Sequence, residues 1–252
     1  MTQEAERIAA LRAEIRALEQ SGRAGNGECM ALGVAEIDRR LAGGGLAVEA
    51  LHEVAGASPE VGDDAAATLF TAALAARRLL EGGGQGTILW ALARRDLFAP
   101  GLAQAGLAPS SVLYAECRRD EEVLAVMEEG LRHGALAAVV GEVGRAGMAA
   151  TRRLQLAAEE GGTLALMLKR WRRSGEDPLG LPSAAVTRWR VAPAPSAPLP
   201  VAGVGRARWT LDLARQRGGD PFTFLVDAPD EKARFARASG PADRADQARA
   251  AA

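Results

Sequence analysis

From Leu46 onward, short apolar runs alternate with longer helical stretches, and this rhythm limits the folds open to the chain more than any other feature. Apolar runs at 51–55, 87–91, 112–116, 137–140 and 164–168 read as strands, and the intervals 64–80, 97–105, 120–132 and 148–160 read as helices. Strand, helix and parallel strand in succession build βαβ units, so the expected class is α/β, with a mainly parallel sheet flanked by helices. After residue 168 the pattern changes. "AAVTRWRVAP" and "ARWTLDLARQRGGDPFTFLVDA" alternate apolar and polar residues, and the second contains a Gly-Gly turn, which predicts antiparallel strands extending one edge of the sheet. The proline-rich stretch 192–200 reads as a stiff connector between them.

The two ends differ from this middle. Residues 1–20 read as a separate amphipathic helix in which Ile8, Leu11, Ile15 and Leu18 fall at a/d spacing, a stripe suited either to packing on its own domain or to docking a partner helix. The glycine-rich stretch 21–29 reads as a linker, 30–228 as the core, and the alanine-rich, charged segment 229–252 as a disordered tail.

A formal net charge of −1 excludes a wholly basic nucleic-acid coat, so any such binding must come from local clustering. Two cysteines, Cys29 and Cys117, form neither a disulfide framework nor a metal-ligand spacing, and His52 and His133 stand apart. No metal site is expected. No apolar run approaches the length of a membrane span, so a cytoplasmic protein with no membrane contact is expected.

"HEVAGASPEVGDDAAATLF" has the layout of a phosphate-binding loop: an apolar strand end, a glycine turn, then an alanine-rich helix. A working loop reads G-x-x-x-x-G-K-[ST], its lysine reaching the phosphates and its hydroxyl holding magnesium. Anchored on Gly56 and Gly62, this loop is one residue too long, and Asp63 and Asp64 stand where lysine and threonine are required. Carboxylates there repel phosphate. One of the two aspartates is expected to be the N-cap of the following helix.

"IDRRLAGGGLAVEALHEVAG", followed by this strand order, resembles the RecA-type recombinase core over roughly residues 30–228. The likeness includes "GALAAVVGEV", the place of the Walker B strand, where an aspartate is expected but Gly141 precedes Glu142. The strand that should deliver a water-activating glutamate is followed instead by Arg94, Arg95 and Asp96, the last expected to cap the next helix. The resemblance therefore implies a RecA-like fold with a degenerate nucleotide site (Gly56, Gly62, Asp63, Asp64, Glu142), without ATPase activity or cofactor. "LWALARRDLFAPGLAQAGL", "TRRLQLAAE" and "PSAPLPVAGVGRARWTLDLARQRGG" are similar to the ImuA family of bacterial inducible-mutagenesis proteins, almost throughout. That resemblance implies an accessory role in SOS-induced, error-prone translesion synthesis, with an ImuB-type Y-family polymerase homologue and an alternative DNA polymerase III alpha subunit as partners. A SulA-like inhibitor of cell division is the alternative.

With catalytic residues missing, the basic and aromatic positions carry the functional expectation. Between Lys169 and Arg217 stand ten cations against three acids, interleaved with Trp171, Trp189 and Trp209. Cations neutralise phosphates and indoles accept stacked bases, which suits single-stranded DNA. Lys169, Arg170, Trp171, Arg172, Arg173, Arg188, Trp189 and Arg190 are therefore the candidate contact with DNA or with RecA. The opposing expectation is a packed strand that buries the tryptophans and turns the arginines to water.

Overall fold

A computed structural model of the chain describes residues 27–172, 175–197, 199 and 203–238. The helix expected at 1–20, with Ile8, Leu11, Ile15 and Leu18, lies outside the described residues, as does Arg173. In chain order the elements are β1 (Cys29–Met30), α1 (Ala35–Asp38), β2 (Leu46–Ala47), β3 (Leu51–Gly56), α2 (Val61–Glu81), β4 (Ile88–Leu92), α3 (Ala99–Gln104), β5 (Val112–Glu116), α4 (Asp120–His133), β6 (Ala138–Val143), α5 (Met148–Gly161), β7 (Leu164–Lys169), β8 (Thr187–Ala194), β9 (Arg208–Gln216), β10 (Phe222–Asp227) and β11 (Ala236–Arg237).

Nine strands form one sheet in the order β11-β10-β9-β8-β3-β7-β6-β4-β5, and β1 pairs with β2 in a separate ribbon. Six neighbouring strands, from β8 to β5, run parallel. Three more, β9 to β11, continue the β8 edge antiparallel. The expected α/β class with an antiparallel extension is thus the observed one, with one difference in its wiring. β8 was expected to join the sheet as an antiparallel strand; it runs parallel to β3, with His52 opposite Thr187, and antiparallel only to β9. Alternation announces a strand but not its direction, which is set here by the long return from β7.

Each face of the sheet has its own core. On one side α2 packs on β3, β6, β7 and β8, burying Phe70, Leu74, Trp90, Val140, Leu168 and Trp189. On the other, α4 and α5 cover Leu51, Leu89, Val139, Ala165 and Met167. Interior strands covered on both faces are mostly apolar, as the run "ALAAVV" predicts, with the buried charges Glu53, Glu142 and Lys169 as exceptions. The core also extends beyond the boundary expected at 228. β11 pairs with β10, and Ala233 and Phe235 are buried, with the Phe235 ring edge-on to Phe70 and Trp209.

Candidate functional site at the carboxyl ends of the strands

Parallel strands end together, so their carboxyl ends and the loops after them make a crevice, the general position of ligand sites in open α/β sheets. Here the crevice is formed by the ends of β3, β4, β6 and β7. Gly56 leads into the glycine turn after β3, whose form differs from the sequence expectation. α2 begins at Val61, three residues before the expected start, and its N-cap is Glu60, without a side-chain cap. Asp63 and Asp64 are therefore first-turn residues rather than caps. Their N–H groups both donate to the Glu60 carbonyl, at 3.1 Å each. The extended backbone at Glu60, following Pro59, starts the helix early.

The turn uses its own donors. The Ala57 N–H donates to the Val191 carbonyl at 3.0 Å, and the Glu60 N–H donates to Ser58 Oγ at 3.2 Å. A Cβ at Gly56 would lie 3.0 Å from the Asp63 carbonyl carbon and 3.1 Å from the Ser58 carbonyl oxygen, so the turn is closed on itself. Gly62 is less constrained, its nearest outside neighbour being Pro193 Cγ at 3.5 Å.

Arg170, one residue past β7, is the hub of the site. Its Nη1 donates to Asp64 Oδ2 at 2.7 Å and to Thr68 Oγ1 at 2.8 Å, and its Nε donates to Glu142 Oε2 at 2.8 Å. Glu142 in turn accepts from Trp90 Nε1 at 2.7 Å. Period-2 alternation explains the convergence: Trp90, Glu142 and Arg170 share a sheet face with Val140 and Leu168, the face that α2 covers. Burial pushes the Glu142 carboxyl above the usual carboxylate range, although Arg170 and the Trp90 hydrogen bond draw it back down. Burial works against the Arg170 charge too, but Glu142 and Asp64 outweigh it and hold the guanidinium protonated.

A second charged group occupies the opposite face. Glu53, fully buried in β3, accepts from Ser183 Oγ at 2.8 Å and from Arg188 Nε at 2.7 Å. Lys169 lies close to it, and burial lowers its pKa, partly offset by Glu53 and Asp120. The structure thus splits the basic strip. Arg170 goes to the α2 face, while Lys169, Arg188 and Arg190 go to the other. Arg190 pairs with Asp177 at 2.7 Å and Arg172 with Asp120 at 2.6 Å.

The tryptophans divide as well. Trp189 has no exposed surface, donates to Thr187 Oγ1 at 2.8 Å, and packs on Phe70 and Phe222, so its ring is closed to a stacking base. Trp209 is buried too. Trp171 is half-buried at the crevice, its Nε1 donating to the Gly56 carbonyl at 2.9 Å. Asp96 does not cap α3, whose N-cap is Phe98; it pairs with Arg94 at 3.5 Å.

Sequence reasoning missed Trp90, Thr68 and Glu53. Glu53 left a signal, a carboxylate inside the apolar strand "LHEVAG" that cannot be buried without a cation. Thr68 left none, being one threonine among alanines on a helix.

Comparison with solved structures places the fold. The crystal structure of the RadB recombinase matches with a TM-score of 0.55 and 17% identity, over 83% of this chain and all of that one. The topology is RecA-like. No protein-family model matches the sequence. Two curated relatives, each named Protein ImuA, from the NA1000 / CB15N and CB 15 strains of Caulobacter vibrioides, are 38% identical over 204 residues. The match takes in 79% of this chain and 83% of each relative. With its RecA-like sheet and this degree of identity, the chain belongs to the ImuA family.

Proposed function

We propose that this protein is a non-catalytic accessory factor in SOS-induced, error-prone translesion DNA synthesis, an adaptor between a mutagenic polymerase assembly and DNA or RecA. The observation that carries the reading is Arg170. Its guanidinium, held by Asp64, Thr68 and Glu142, stands across the side of the crevice where a RecA-like ATPase carries its phosphates. The residues present do not fit a magnesium-bound nucleoside triphosphate. The first-turn acids repel it, Ala57 and Glu60 have already spent their N–H groups within the protein, and Glu142 is neutralised by Arg170 instead of serving a metal.

Family membership supports the pathway, and the ordered fold, with Arg170 tied to Asp64, Thr68 and Glu142 in the crevice, supports positioning as the mode of action. In this reading an ImuB-type Y-family polymerase homologue and an alternative DNA polymerase III alpha subunit are the protein partners, engaged in part through the stripe of Ile8, Leu11, Ile15 and Leu18.

Thermal melting with and without millimolar magnesium-ATP tests the non-catalytic half, because a ligand that binds the native state must raise its melting temperature. No shift is expected, and a rise of several degrees overturns it. Co-purification with the polymerase homologue tests the adaptor half: deletion of residues 1–24 is expected to weaken capture, and undiminished capture removes the helix from the interface.

A further inference from the structure

Beside the Arg170 hub, a cleft of about 440 Å³ opens between the ends of β4, β5, β6 and β7. Its wall includes Arg94, Arg118, Arg119, Arg172 and Trp171. The two carboxylates that also line it are spoken for. Asp120 accepts from the N–H groups of Gly144 and Arg145 and from Arg172, and Glu142 serves Trp90 and Arg170. The lining thus carries five arginines, Arg94, Arg118, Arg119, Arg170 and Arg172, against these two carboxylates. Arg94 and Arg119 are 57% and 70% exposed and carry surface ion pairs, to Asp96 at 3.5 Å and to Glu122 at 3.2 Å, which are weak enough for a phosphate to displace, and Arg118 is exposed with no side-chain partner among the described residues.

We infer that this cleft holds the phosphodiester backbone of a single nucleic-acid strand, with Arg118 and Arg119 as backbone contacts and Trp171 as the base-stacking surface. The inference rests on the adaptor reading above and relocates its DNA contact. Arg188 and Arg190 do not line this cleft; Arg188 is held by the buried Glu53, and Arg190 pairs with Asp177 at the surface. Arg118 and Arg119, just past β5, take their place.

Three features favour a strand. The volume lies in the range of roughly 300–1,000 Å³ typical of small-ligand clefts, enough for about one nucleotide unit of a strand passing through it, and a concavity of this size does not admit a duplex. Guanidinium forks match phosphate oxygens. A half-buried indole beside them supplies the π-face that unpaired bases use.

The test is anisotropy of a fluorescein-labelled oligo-dT at 50 and 200 mM NaCl, comparing the wild type with Arg118→Ala/Arg119→Ser. Serine is chosen at 119 because it caps a helix well, keeping α4 intact. Arg152→Ala, an exposed arginine on α5 that does not line the cleft, is the control. Removing two phosphate contacts is expected to weaken binding about tenfold at the lower salt and to reduce the slope of log affinity against log salt by about 1.4. The control is expected to bind as the wild type does.

If the wild type binds and the double variant binds equally well, the cleft assignment is wrong and the adaptor reading stands. If the wild type does not bind at 50 mM NaCl, the cleft and the DNA-contacting half of the adaptor reading both fall. Equal binding of a duplex, or displacement of the oligonucleotide by tripolyphosphate at matched phosphate concentration, overturns the strand in favour of a general anion site.

Discussion

Arg170 meets Glu142 through two nitrogens, Nε at 2.8 Å and Nη2 at 2.7 Å, both on the single oxygen Oε2, while the other carboxylate oxygen accepts from Trp90. Every charge in this group is buried or half-buried, so its parts are interdependent. Arg170→Met would leave a buried carboxylate without its cation, an expected loss of about 3–5 kcal/mol. Adding Glu142→Gln should restore most of it, because glutamine keeps an acceptor for the Trp90 N–H. Urea denaturation of both variants measures this, and a single variant as stable as the wild type would refute the coupling.

Lys169 gives a pH signature. Burial holds its folded pKa below the ordinary 10.5, so between the folded value and 10.5 the unfolded chain binds more protons and stability rises with pH across that window. Lys169→Met removes the slope. The variant is expected to be more stable than the wild type at neutral pH, with the gap closing as the pH approaches 10.5. Melting temperatures at pH 7, 8.5 and 10 check the sign, and a gap that widens with pH contradicts it.

Gly161, the last residue of α5, sits where a Cβ would lie 1.9 Å from the Leu131 carbonyl oxygen of α4. Backbone cannot swing aside as a side chain can. Gly161→Ala is expected to cost about 2–3 kcal/mol, measured by chemical denaturation. Gly147→Ala, where a Cβ meets nothing within 4 Å, should be nearly neutral.

Of the four tryptophans, Trp90, Trp189 and Trp209 are buried and Trp171 is half-buried. Acrylamide is expected to quench mainly Trp171, and Trp171→Phe should abolish most of the quenchable fraction. Stern–Volmer titration decides it: an accessible fraction unchanged in the variant would contradict the burial of the other three.

The sheet was legible in the sequence because period-2 apolar runs are a local property. β5 and the start of α4 fall at the expected residues, β3 and β7 run one residue further than expected, and β4 is shifted by one residue at both ends. Partnership is not local. Nothing near Arg170 identifies Glu142 and Asp64 as its carboxylates, because the three residues meet only once β6 and β7 are aligned and the first turn of α2 is packed over them. The interleaved arginines and tryptophans of β8 looked like one surface because a linear string hides the alternation that sends Trp189 inward and Arg188 to the opposite face. Helix starts were misread for a subtler reason: Asp63 and Asp64 are good capping residues, but Glu60 preceded them with an extended backbone.

The central position of β3 carries a consequence for synthesis on the ribosome. Both its neighbours, β7 and β8, are encoded more than a hundred residues downstream, whereas β9 and β10 are joined by a tight hairpin. A growing chain therefore carries an apolar strand with two bare edges from the completion of β3 at Gly56 until β7, which begins at Leu164, emerges. Folding of this protein is gated by the arrival of its second half, and fragments ending before residue 164 are expected to aggregate or to be retained by chaperones.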